Sequence, residues 1–297
     1  MITNKKTLSY LSMAIAMIIV GSGVVAGKLI TVSLPIFLSS FLSLFIAFLL
    51  FLPTIVSTVK SKVIDKNDYF YLALQALLGT VLYRILLFIS LKYIDASFAG
   101  IISALQPAAI SLLAVLFLKE RQTYREKIGV FLAVSGLFIA YLANKISISL
   151  TSGLLLGTIL SLLAVLGEAC FSVFAKKLNK NISPISTAGM VTALSCAMSF
   201  PIAFIDFTHF NIASFSILGI GLIAYYGIFL TYVSFIFWFS GLKHSTASVA
   251  GIFTALAPLS GVILSILILK ETPNIFELIG GVLIILSIIL VVNKNEK

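Results

Sequence analysis

The chain has 297 residues, 60% of them hydrophobic and only 10% charged, with a formal net charge of +10 and a mean hydropathy of +1.18. Soluble domains carry about 25% charged residues, so this composition excludes an ordinary soluble enzyme and a disordered chain. The excess of positive charge does not mark a nucleic-acid binder, because the basic residues are scattered between apolar blocks, as charges flanking membrane segments are. The composition predicts an integral membrane protein.

A helix needs about 20 apolar residues to cross the hydrocarbon core. Breaking the sequence at charges and turn residues predicts about ten such spans. In the first half they cover 8–27, 34–59, 69–91, 96–118 and 127–143; in the second, 153–175, 185–205, 216–240, 246–269 and 274–292. The first reads as a retained span, since it lacks the small-residue cleavage site of a signal peptide. Connections are short and leave no room for a soluble domain. Cys170 and Cys196 both lie in apolar runs without metal or disulfide spacing, and read as small buried side chains. With ten spans, about fifteen Lys and Arg fall on one side and four (Lys28, Lys92, Lys145 and Lys270) on the other. This asymmetry predicts that both termini are cytoplasmic.

An internal repeat is the most informative pattern. Residues 91–141 and 242–292 align without a gap and share about 19 of about 51 positions. Ala96-Ser97 matches Ala247-Ser248, Gly100 matches Gly251, Pro107 matches Pro258, Lys119-Glu120 matches Lys270-Glu271, and Gly129 matches Gly280. Pro35 and Pro53 frame the second span as Pro184 and Pro201 frame the seventh. Five spans per copy is an odd number, so the second copy enters the membrane upside down. The expected fold is an all-α membrane protein of about ten transmembrane helices, built as two inverted five-helix repeats over 1–146 and 147–297. Such a pair places a site near the midplane, between halves that rock against each other.

These repeats resemble those of the drug/metabolite transporter superfamily, EamA type. The resemblance is carried by the Leu-Lys-Tyr…Ala-Ser…Pro…Lys-Glu-Arg…Gly series from Leu91 to Gly136, by its second copy, and by Gly21-Ser22…Lys28 in the first span. It implies a bacterial inner-membrane secondary transporter, most often an exporter of amino acids, amines, other metabolites or drugs. The chain departs from the family where relatives often carry an arginine early in the second span (here Leu42) or tryptophans in the first and sixth spans (here about Val20 and Glu168).

Ionisable residues inside spans cost about 2.5–3.5 kcal/mol each on insertion scales, so they are functional candidates by default. Glu168, in the sixth span, is the candidate for binding a proton or a cationic group. Arg84, in the third, is the candidate clamp for a carboxylate or phosphate, or else snorkels outward. Their estimated depths differ by about 12 Å at 1.5 Å per residue, which argues against a direct pair. Gln106 becomes Ala257 in the second copy, an asymmetry that favours a ligand role over an architectural one. Pro107 and Pro258 free matched backbone carbonyls and permit kinks, while Gly21 and Gly23 permit a bend or a close helix crossing. The aromatic eighth span offers Tyr225 or Tyr232 to a cavity, with Trp238 as an interface anchor; Tyr83 is a further candidate beside Arg84.

The loop charges at 119–127, Asp95, Asp206 and His209 read as solvated surface groups. No HExxH, P-loop or GxSxG motif appears, so an enzyme and ATP coupling are not expected, and no metal or cofactor is implied. The expected partners are a small-molecule substrate, membrane lipids and protons. A monomer already holds both halves, so a homodimer is not required. Rival expectations are an uptake carrier for an amine or amino acid, a flippase for a lipid-linked metabolite, a channel, and a membrane scaffold.

Overall fold

The computed structural model describes residues 2–118, 152–179, 181–207, 216–243 and 256–292, with isolated positions between 124 and 139 and at 253–254. Every regular element among them is helical. In chain order these are α1 (Ile2–Ser33), α2 (Ile36–Ser61), α3 (Lys66–Ser90), α4 (Ala96–Phe117), α5 (Lys127–Gly136), α6 (Ser152–Ala175), α7 (Pro184–Phe207), α8 (Ile217–Lys243), α9 (Leu256–Leu269) and α10 (Ile275–Val292). Among the described residues, seven helices are long and apolar enough to cross a membrane: α1–α4 and α6–α8. The chain is a multi-pass membrane protein. The expected fifth and ninth spans fall partly outside the described residues, as do Lys119-Glu120, Lys145, His209 and Ala247-Ser248.

Local chemistry sets the helix ends. Asp68, in the first turn of α3, accepts from the Asp65 amide at 3.2 Å and from the Asn179 amide at 3.0 Å, tying α3 to the loop after α6. Ser216 accepts from the Gly219 amide at 3.0 Å and so caps α8. Pro53 and Pro201 lie inside α2 and α7 rather than at their ends.

α2 and α7 form the most extensive helix pair, and they run antiparallel. The start of α2 meets the end of α7, where the Asp206 carboxylate accepts from the amides of Phe37 and Leu38 at 2.7 and 3.1 Å. At their other ends the Thr58 hydroxyl donates to Ser186 at 2.9 Å. A second carboxylate of the C-terminal half acts on the Asp206 face in the same way. Glu271 accepts from the amides of Ala96 and Ser97 at 3.0 and 2.7 Å and caps α4. Lys270, with a left-handed φ of 56°, turns the chain so that Glu271 reaches back. On this face Lys28 also donates to the carbonyls of Leu91 and Ile94 at 2.8 and 2.7 Å and lies 3.7 Å from Asp95. Asp206 is therefore a partnered group rather than a freely solvated one, whereas Asp95 stays exposed beside Lys28.

Three helices depart from α geometry, two of them beside the central cavity and the third at its own end. α3 contains a π-helical turn at Leu77–Leu82, α8 one at Tyr226–Val233, and α9 one at Ser265–Leu269. Such turns gather at functional positions in helices. α4 is divided into Ala96–Ser103 and Gln106–Leu118, because the Pro107 nitrogen has no proton to continue the ladder. The chain tightens just before it, with Ala104 and Leu105 amides donating three residues back.

Candidate functional site

Arg84 follows the π-turn of α3 and is 5% exposed, so it is buried and does not snorkel. Its guanidinium donates to the Ser43 hydroxyl of α2 at 2.7 Å and to the Thr231 hydroxyl of α8 at 2.9 Å. Both hydroxyls spend their own protons on carbonyls, Ser43 on Ser40 at 2.9 Å and Thr231 on Tyr226 at 3.0 Å. Each therefore presents a lone pair to the arginine. The guanidinium carbon also lies 5.0 Å from the centre of the Tyr226 ring, and the Tyr226 hydroxyl is fixed by donating to the Gly23 carbonyl at 2.9 Å. Among the described residues no carboxylate lies within ion-pair distance of Arg84.

Glu168, on α6, faces the same central cavity of about 70 Å³, room for a few water molecules. The Gln106 side chain borders the same cavity beside it. The walls include Thr80, Arg84, Phe171, Tyr226, Phe235 and Trp238. The Thr80 hydroxyl, in the π-turn of α3, is buried and has no hydrogen-bond partner.

The structure thus brings Tyr83, Arg84, Gln106 and Glu168 to one cavity. Arg84 and Glu168 both border it without forming an ion pair, in keeping with their difference in depth. Trp238, expected at the interface, is 4% exposed and lines the cavity. Tyr225 and Tyr232 lie off it. Tyr225 shares a 2.7 Å hydrogen bond with Ser22, and the Tyr232 ring packs on Phe51 with centroids 4.5 Å apart. Five residues of α8 line the cavity (Tyr226, Leu230, Ser234, Phe235 and Trp238), and all but Phe235 are spaced by four, a spacing that the wide π-turn helps keep on one face. Cys196 is buried and Cys170 half-buried, and neither borders the cavity.

Gly21 sits where α1 crosses α9, and a Cβ there would collide with the Ala257 carbonyl and the Ser260 hydroxyl. Gly23 meets Leu230 and Tyr226 of α8. Both are close-approach positions inside the unbroken helix α1. Pro107 opens the lower piece of α4, and Pro258 lies buried in α9, its carbonyl facing Gly100 of α4. Sequence reasoning passed over Ser43, Thr231 and Thr80, since a serine or threonine in a helix ordinarily bonds its own backbone.

The EamA-like transporter family profile matches residues 7–142 and again 155–293. An "Uncharacterized transporter YetK" of Bacillus subtilis is 34% identical over all of this chain and 90% of its own length. "Uncharacterized transporter YyaM" of the same species is 24% identical over 78% of this chain and 75% of its own. A solved crystal structure superimposes with a TM-score of 0.67 at 17% identity, covering 97% of this chain and 99% of that one, which shows a shared fold. Matched across both halves, the chain belongs to the EamA-like transporter family of the drug/metabolite transporter superfamily.

Proposed function

We propose that this protein is a secondary transporter of the bacterial plasma membrane that exports a small amphipathic molecule by alternating access, with both termini cytoplasmic. In this reading it has ten spans in two inverted repeats, 1–146 and 147–297. The antiparallel pairing of α2 with α7 supports that arrangement, since the two helices occupy equivalent places in the two halves.

One observation carries the functional reading: a buried arginine with no carboxylate partner among the described residues and the Glu168 carboxyl face a single aromatic-walled cavity. Desolvating a charge costs several kcal/mol unless an opposite charge compensates it. Hydroxyl acceptors orient Arg84 but do not neutralise it, so the missing anion is assigned to the passenger. Glu168 takes a cationic group of the passenger, or a proton in exchange. The passenger that satisfies both is a small zwitterion whose apolar part packs on Phe171, Phe235 and Trp238.

A thermal-shift screen of the detergent-purified protein against amino acids, amines, organic anions and lipophilic cations, at two pH values, tests this. A ligand at about 100 times its Kd stabilises the folded state by about 2.7 kcal/mol. The expected hit is a zwitterion whose shift disappears in Arg84→Ala. Stabilisation by lipids alone would replace the small-molecule reading with a flippase.

A further inference from the structure

The central cavity has a smaller neighbour of about 20 Å³, and the two are stacked along the membrane normal. Their order can be followed on each helix they share. On α1 the larger chamber touches Met17 and the smaller touches Val24, with Val20 bordering both. On α3 the sequence is Thr80, then Tyr83 at the border, then Leu87. On α6 the smaller chamber meets Ser161, the larger meets Ser172, and Glu168 lies between. On α4 the smaller chamber meets Ser103, and Gln106 borders both. α1 and α3 run toward the Asp206 face and α4 and α6 away from it, so all four agree on direction. The smaller chamber lies toward the face of Asp206 and Glu271, and the larger toward the face of Thr58 and Ser186.

We propose that Val20, Tyr83, Gln106 and Glu168 form a septum closing the transport path near the midplane, with Gln106 as the positioning residue that pins the Glu168 carboxyl within it. This rests on the reading of the cavity as the transport path. The septum takes one side chain from each of four helices, α1, α3, α4 and α6. Its polar side chains are Tyr83, Gln106 and Glu168, and Glu168 is the one carboxylate among the described residues that faces both chambers. When a cationic group replaces the Gln106 amide at Glu168, the contact that closes the path is broken by the passenger itself.

The test needs no passenger. The full-length protein is reconstituted into liposomes containing a pH-sensitive dye, and proton entry is followed under a valinomycin-imposed potential. Wild type is expected to match protein-free liposomes. Gln106→Ala is expected to raise proton entry at least tenfold, and Gln106→Asn, which keeps the amide but shortens its reach, to raise it less. Thr158→Ala, which alters a buried hydroxyl of α6 that borders neither chamber, is expected to stay at the wild-type level. Each variant is first checked by elution profile and melting temperature, and the asparagine variant decides if the alanine variant does not fold. A folded Gln106 variant that leaks no faster than wild type overturns the septum, as does a wild type that leaks as fast as the variants. A leak without any ligand in the thermal screen leaves the septum standing and removes the zwitterion reading; a ligand without a leak does the reverse.

Discussion

Arg84 and Thr231 lie 147 residues apart and are joined by a 2.9 Å hydrogen bond, so a hydroxyl of the C-terminal half orients the buried cation of the N-terminal half. The same hydroxyl closes the π-turn of α8 by donating to the Tyr226 carbonyl. Thr231→Val, nearly the same in volume, removes both bonds at once. Leaving a buried donor unpaired costs about 1–3 kcal/mol, and more where it is charged. The expected result is a melting temperature several degrees lower, with ligand affinity reduced more strongly than in Thr231→Ser. Equal behaviour of the two variants would show that the hydroxyl is dispensable to Arg84.

Glu168→Gln keeps the size of the side chain while removing the charge and the proton. Transport in proteoliposomes is expected to lose its pH dependence, and binding of a passenger bearing an ammonium group to weaken at least tenfold. Binding of a purely anionic probe at Arg84 should be retained. Unchanged pH dependence in a folded Glu168→Gln protein would remove proton coupling through this group.

Gly21 allows α1 to lie directly against the backbone of α9, and its added Cβ would meet the Ala257 carbonyl, which is not free to rotate away. Forced overpacking costs about 1–3 kcal/mol. Gly21→Ala is expected to lower thermal stability in detergent by that amount and to slow transport. Gly221→Ala is the control, since nothing lies within 4 Å of a Cβ at that position. Similar losses in both variants would point to backbone freedom rather than close approach.

Glu271 and Asp206 place carboxylates of one half on helix starts of the other, all on one face of the membrane domain. A carboxylate at a helix N-terminus contributes about 0.3–1 kcal/mol. Glu271→Gln retains an acceptor but loses the charge, so a loss of that size is expected. The double variant with Asp206→Asn should lose about the sum, because the two sites share no partner. Both are read from melting curves at low salt. The variants should also label faster at an introduced Ser97→Cys with a membrane-impermeant thiol reagent applied from that face.

The membrane class was legible in the sequence because the bilayer imposes its own ruler. A run of about 20 apolar residues has few stable alternatives to a spanning helix, and the repeated Ala-Ser, Pro and Lys-Glu positions mark two related halves. Arg84 and Glu168 stood out for the same reason, since a charge in hydrocarbon has to be compensated. What surrounds them did not stand out. Ser43 and Thr231 became partners of Arg84 only through helix crossings that no local pattern records. That Tyr226 and Trp238, rather than Tyr225 and Tyr232, face the cavity followed from how α8, with its π-turn, packs against its neighbours. Composition determines that the chain enters the membrane, because transfer free energy adds residue by residue along each helix. Which side chains share a cavity, and where that cavity is divided, was decided by packing, because those contacts join helices that the sequence keeps apart.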